Sequence, residues 1–83
     1  EAAQQEKEIQ VYRMLIANLD PAYAQFLKAG LSRLYHRMAA ASLARRDLPT
    51  ARRRLWHSLV ESPRNPLLPA VERRKLLREV IFA

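Results

Sequence analysis

Apolar residues recur every three or four positions along most of the chain, and this spacing predicts four helices. We expect them over about 2–18, 21–45 and 48–61, and from about Pro66 or Pro69 to Ile81. Asp and Asn side chains cap free backbone N–H groups, and proline fits the first helical turn. A capping residue followed by proline stands at the start of each of the last three helices: Asp20-Pro21, Asp47-Leu48-Pro49 and Asn65-Pro66. No strand-like alternation occurs, so the predicted fold is all-α.

The apolar positions of each predicted helix fall on one side, which we expect to face the core. On the first helix they are Ile9, Tyr12, Leu15, Ile16 and Leu19. On the second they are Tyr23, Phe26, Leu27, Leu31, Leu34, Tyr35, Met38 and Ala41. On the third they are Leu48, Ala51, Leu55, Ser58 and Leu59, and on the fourth Leu67, Val71, Leu77, Val80 and Ile81. Gly30 lies on the second stripe, where it either bends that helix or lets the first helix approach closely.

The spacing of residues around Ala51 resembles one tetratricopeptide repeat. That repeat has W-x-x-L-G-x-x-Y on a first helix, A-x-x-x-F on a second and a closing proline, over about 34 residues. The matching residues here are Tyr35, Met38, Ala39, Ala51, Leu55 and Pro63, and Arg46-Asp47 stands where many repeats have Gly-Asp. The resemblance implies an antiparallel helix pair at roughly 31–62, with the small Ala39 and Ala51 at the crossing.

Two positions depart from the repeat: Ser42 replaces its second tyrosine and Ser58 replaces an alanine. No second copy at a period of about 34 residues is visible. A plain four-helix arrangement therefore stays open as the alternative fold.

A second resemblance covers four short stretches: RLYHRMA (33–39), LARRDL (43–48), ARRRL (51–55) and LVESPRNP (59–66). Together they resemble the helical tail that follows the catalytic domain in bacterial family 2 glycosyltransferases. The resemblance implies an accessory domain of an enzyme that builds surface polysaccharide. The catalytic residues of that family would lie in a preceding domain, and none maps onto this chain.

Charge is unevenly distributed along the chain, whose formal net charge is +7. Residues 1–20 carry four acidic and two basic side chains, whereas residues 21–83 carry thirteen basic and four acidic ones. A basic balance of this kind indicates an anionic neighbour, such as phospholipid, nucleic acid or an acidic domain of the same protein. The other interpretation is a solvated arginine-rich surface with no ligand.

Candidate chemistry is sparse. The chain has no cysteine and two histidines, and neither the histidines nor the serines stand in a nucleophile or metal-binding motif. We expect no enzyme activity, cofactor or metal in these residues; His57 and Glu61 are interpreted as a surface pair. Arg45, Arg46, Arg52, Arg53 and Arg54 cluster around one turn, and Arg52 is placed to stack on Trp56. The candidate interaction residues are Arg33, His36, Arg46, Arg52, Arg53 and Trp56. The alternative is that Trp56 packs against the first or fourth helix and the arginines are solvated.

The sequence thus predicts a single helical domain over 1–83 that is a piece of a longer chain. We expect a non-catalytic protein-interaction or scaffolding domain, the C-terminal accessory part of a bacterial glycosyltransferase-like protein. Its partner would be the parent's catalytic domain or a second copy, in the cytoplasm or at the periphery of the inner membrane. The alternative function is a basic helical module that binds nucleic acid or an anionic membrane surface. The longest uncharged runs have seven residues, far fewer than a membrane span requires.

Overall fold

The structure, a computed structural model, describes residues 2–82. Four helices make up the fold of this part of the chain: α1 (Ala2–Asn18), α2 (Pro21–Ala44), α3 (Leu48–Glu61) and α4 (Ala70–Ile81). The predicted all-α class and the predicted helix order are confirmed. The fourth helix begins after Pro69 rather than at Pro66, because Asn65 organises a turn instead of capping a helix. Its Oδ1 accepts from Leu67 N at 2.9 Å, and its carbonyl accepts from Leu68 N at 3.2 Å.

The long α2 is the centre of the packing: α3 lies along it as a helical hairpin, and α1 also packs against α2. Two groups of buried side chains form the core. The first comprises Ile9, Leu31, Leu34, Tyr35 and Met38, with Tyr12 and Ile16 packed against it. The second comprises Ala39, Ala51, Leu55, Leu76 and Val80, with Leu43 and Leu59 alongside. The whole is a flat slab of 39 × 28 × 14 Å.

Gly30 provides space for α1 and does not interrupt α2, which runs as one helix from Pro21 to Ala44. A Cβ atom added at Gly30 would lie 3.0 Å from Tyr12 Oη and 3.2 Å from Tyr12 Cε1. Of the two roles that the sequence left open, the structure therefore supports close approach of α1.

The end of α2 is a Schellman motif. Arg46 N donates to Leu43 O and Asp47 N donates to Ser42 O, both at 2.9 Å. Arg46 has a φ of 62° in this turn, the left-handed conformation that glycine adopts most easily. The Asp47 side chain then accepts from Thr50 N at 3.4 Å, as its predicted role as the α3 cap requires. At the start of α2, in contrast, the Asp20 side chain makes no capping bond, and its carbonyl accepts from Tyr23 N and Ala24 N instead.

Arg46→Gly is expected to raise the free energy of unfolding by up to about 1 kcal/mol. The left-handed conformation costs a non-glycine residue about 1–2 kcal/mol, and glycine loses about 0.5–1 kcal/mol in additional chain entropy. Urea denaturation measures the difference. Arg45→Gly is the control, because Arg45 has an ordinary φ of −87° and should only lose stability. If Arg46→Gly is less stable than the parent, contacts of the arginine side chain outweigh its backbone strain.

The fourth helix does not bury the stripe predicted for it. Four of its five predicted core residues, Leu67, Val71, Leu77 and Ile81, are exposed. The prediction is confirmed for the fifth, Val80, which packs inward together with Arg73 and Leu76 of α4 and with Leu68 of the preceding segment. The reason is Arg73, a charged residue that takes a place on the inner side and fixes the rotation of α4 about its axis.

Arg73 is only 7% exposed and joins α4 to the hairpin. Its Nη2 donates to Ser32 Oγ at 2.9 Å and to Ser58 O at 2.8 Å, and its Nη1 donates to Pro63 O at 2.8 Å. The two serines, both fully buried, also bond to each other: each hydroxyl donates to the other's carbonyl, at 2.6 and 2.8 Å. This network accounts for a serine at the inward position 58 and for the burial of Ser32, which the sequence did not predict.

Candidate interaction surfaces

The outward side of α3 carries two apolar and two basic side chains, Arg52, Arg53, Trp56 and Val60, which we call the α3 outer face. Trp56 is 65% exposed and Val60 is 59% exposed. The buried residues of the same helix, Ala51, Leu55 and Ser58, lie on its opposite side. The interpretation that Trp56 packs against α1 or α4 is therefore wrong.

The five arginines grouped by the sequence separate in the structure. Arg52 and Arg53 are exposed on α3, and Arg45 and Arg46 are exposed around the preceding turn. Arg54 points the other way and forms an ion pair with Glu6 of α1, the one salt bridge within residues 2–82. The three consecutive arginines diverge because successive helical positions point about 100° apart.

Stacking of Arg52 on Trp56 is not what the structure shows. In the described residues the cation–π contacts converge on Tyr35, whose ring centre lies 6.0 Å from the Arg13 guanidinium carbon and 5.8 Å from that of Arg54. Arg13 Nη2 also donates to Tyr35 Oη at 2.7 Å. Tyr35, predicted as a core residue and as a matching position of the repeat, thus connects α1 to the hairpin.

The remaining candidates lie apart from the α3 outer face. Arg33 is exposed on α2. His36 is half-buried near Glu72 and Arg73 of α4; burial lowers its pKa, Glu72 opposes the shift and Arg73 adds to it. His36 therefore belongs to the contact between α2 and α4 rather than to an open surface.

His57 is a half-buried residue of α3. Its ring packs on Tyr35 with 5.0 Å between ring centres. Burial lowers the pKa of His57, and the charges of Arg54, Arg53 and Arg13 lower it further, against a smaller opposing effect of Glu61. His57 and Glu61 have no third metal-type ligand beside them in the part of the chain that the structure describes.

Acidification is expected to destabilise the fold below about pH 6.5, the pKa of a histidine in an unfolded chain. Because the pKa values of His36 and His57 are lowered by folding, the unfolded state takes up protons first and is favoured as pH falls. Urea denaturation between about pH 8 and pH 5 measures this, and His36→Gln/His57→Gln should lose the slope over that window. A wild-type protein that gains stability on acidification contradicts the histidine environments described.

A second exposed surface runs along α1. Val11 and Leu15 lie four residues apart along the helix, and Leu19 follows four residues later, just past the end of α1 at Asn18. We call these three residues the α1 apolar line; each is between 41% and 50% exposed. Beside the line, a groove of about 520 Å³ between α1 and α2 is lined by Val11, Tyr12, Leu15 and Leu27 together with Gln4, Lys7 and Glu8. Of the five residues predicted to face the core, Ile9, Tyr12 and Ile16 pack against α2, as predicted, whereas Leu15 and Leu19 are exposed.

A third surface lies where α2 passes the segment that joins α3 to α4. A groove of about 810 Å³ runs there between Phe26 and Lys28 on one side and Pro63, Pro66 and Leu67 on the other. Phe26 was predicted in the core and is exposed, as is Tyr23. Both precede the stretch of α2 in which most of the buried residues lie.

None of the helices described is long and apolar enough to cross a membrane. Comparison with protein-family models, with curated proteins and with solved structures finds no match to this chain.

Proposed function

We propose that this chain is a non-catalytic helical interaction module that docks onto another protein through the α1 apolar line. The observation that carries the proposal is the line itself: three branched apolar side chains, regularly spaced and open to solvent, beside a groove. Contiguous exposed apolar surface of this kind is typical of protein-docking sites. The rim of the groove is polar, with Lys7 and Glu8, as at protein interfaces that have an apolar centre.

The proposed partner is the catalytic domain of the same protein, as the resemblance to the tails of bacterial family 2 glycosyltransferases implies. The helical hairpin of α2 and α3 is compatible with the tetratricopeptide-like pair that such tails carry. A further support is the left-handed Arg46, which occupies the turn position where many repeats have glycine. In the isolated chain, a second copy is the nearest substitute for the missing surface.

Self-association tests the docking surface. Sedimentation of the 83-residue chain over a range of concentrations should show reversible dimers, and Val11→Glu/Leu15→Glu should abolish them. Gln10→Glu/Ala17→Glu is the matched control, since it adds the same charge at exposed positions on another side of α1. A chain that stays monomeric at every concentration, or a control that loses dimers equally, contradicts docking through the α1 apolar line.

The glycosyltransferase assignment has a separate test in the reading frame that contains the chain. A preceding α/β domain with an Asp-x-Asp nucleotide-sugar motif is expected, and that domain expressed separately should bind the wild-type chain but not Val11→Glu/Leu15→Glu. A reading frame without such a domain overturns the assignment and leaves the docking surface to be judged by sedimentation.

A further inference from the structure

We propose that the α3 outer face binds the surface of an anionic phospholipid bilayer, with Trp56 and Val60 entering the interfacial layer and Arg52 and Arg53 contacting lipid phosphates. The inference goes beyond the proposed function. It depends on a different helix and on different residues from the α1 apolar line.

The geometry of α3 presents these four side chains together. Trp56 and Val60 are four residues apart, so they follow one another along the helix on the side opposite the buried Ala51 and Leu55. Arg52, four residues before Trp56, lies on the same line, and Arg53, three residues before Trp56, lies beside it. The result is an apolar ridge on the convex side of α3 with two guanidinium groups at its N-terminal end.

The charges of this face are available to an external anion. Neither Arg52 nor Arg53 has a carboxylate within salt-bridge distance in residues 2–82. Asp47 is an acidic group that faces this region: its carboxylate accepts from Thr50 N, and the nearby charges of Arg45 and Arg53 make a smaller contribution to lowering its pKa. Arg45 and Arg46, exposed at the preceding turn, add positive charge at the same end of the helix.

A bilayer surface suits this arrangement better than nucleic acid does. Arginine side chains lay their aliphatic stems on apolar surface while the charged head reaches outward, and tryptophan favours the boundary between headgroups and acyl chains. A ridge of Trp56 and Val60 with two arginines at its N-terminal end therefore matches a layer of phosphates above an apolar layer. Nucleic acid offers phosphates to the arginines and a base on which Trp56 could stack, but no apolar layer for the branched Val60.

The chain contains a single tryptophan, so its fluorescence reports on Trp56 without a label. Vesicles with about 30% anionic lipid, in about 0.1 M salt, should shift the emission to shorter wavelength and protect it from acrylamide. Purely zwitterionic vesicles should give neither effect. Raising the salt should weaken the response, since exposed charges are screened.

Arg52→Glu/Arg53→Glu should reduce binding to the anionic vesicles by about tenfold or more. Arg74→Glu/Lys75→Glu on α4 makes the same change in net charge at exposed positions and should retain most of the binding. Trp56→Ala, followed by vesicle co-sedimentation, should also weaken binding, and far-UV circular dichroism verifies that each variant is folded. Val11→Glu/Leu15→Glu should bind vesicles normally, because docking and membrane binding use different surfaces.

Three results would overturn the inference. The first is no fluorescence change with anionic vesicles. The second is an equal loss of binding in the α4 control, which would mean that net charge alone attracts the chain. The third is a response of Trp56 to duplex or single-stranded nucleic acid at physiological salt that exceeds its response to vesicles, which would assign the face to nucleic acid.

Discussion

Arg73→Ala is expected to lower the free energy of unfolding by about 2–4 kcal/mol. Hydrogen bonds from a charged donor contribute about 1.5–3 kcal/mol each, and the cost of burying the guanidinium offsets part of that sum. The variant also removes the guanidinium group that donates to the buried Ser58 carbonyl and to the buried Ser32 hydroxyl in the native fold. Urea denaturation followed by circular dichroism measures the loss.

Two companion variants make the result interpretable. Arg74→Ala removes the adjacent exposed arginine and should cost less than about 0.5 kcal/mol. Arg73→Lys keeps the charge but lacks the planar fork that reaches Ser32, Ser58 and Pro63 together, so it should be nearly as damaging as alanine. If Arg73→Ala costs no more than Arg74→Ala, the network described for α4 is not formed in solution.

Ala51→Leu is expected to cost about 1–3 kcal/mol by overpacking the contact between α2 and α3. Ala51 and Ala39 are both fully buried in the cluster that contains Leu55, Leu76 and Val80. Three added carbon atoms at Ala51 must displace one of these side chains or separate the helices. Thermal denaturation should show a lower melting temperature.

Ala40→Leu is the appropriate control, because Ala40 is next to Ala39 in the chain yet exposed on α2. It adds the same volume and should leave the melting temperature nearly unchanged. An Ala51→Leu variant as stable as Ala40→Leu would mean that the helices do not cross closely at Ala51.

Helix number and helix limits could be predicted because their signals are local. Asp47 caps α3 through its own side chain, and the prolines at positions 21 and 49 fix the first turns of α2 and α3. The caps and prolines need no knowledge of which helix packs where. The burial of Ala39 and Ala51 was implied by the resemblance to a tetratricopeptide repeat, which has small residues where its two helices cross.

The rotation of α4 could not be predicted in the same way. Val71, Leu77 and Ile81 are better apolar candidates than Arg73, and no rule of amphipathic spacing places a charged side chain inward. The inward position of Arg73 depends on acceptors from two separate parts of the chain: Ser32 on α2, and Ser58 and Pro63 at the end of α3. Neither distance along the sequence nor hydropathy records that convergence.

The candidate surfaces were only partly predictable for a related reason. Residues 52, 53 and 54 are all arginines, and the sequence does not distinguish them. Only the position of Glu6 on α1 gives Arg54 an ion pair. Trp56 is normally a strong core candidate, yet its helical phase places it opposite Ala51 and Leu55. The exposure of Trp56 can be predicted only when the side of α3 that packs against α2 is known.

The attachment of α4 also bears on the order in which the fold opens. Besides the bonds of Arg73, α4 buries only Leu76 and Val80, whereas α3 packs along much of α2. Release of α4 would return a guanidinium group to water, which compensates part of the lost contacts. We therefore expect α4 to detach and unfold as a separate unit while the hairpin of α2 and α3 stays folded. Native-state hydrogen exchange detects local unfolding of this kind. Amide protons of α4 would then exchange much faster than those in the middle of α2. In this partly unfolded state the chain would consist of three packed helices and a detached fourth segment.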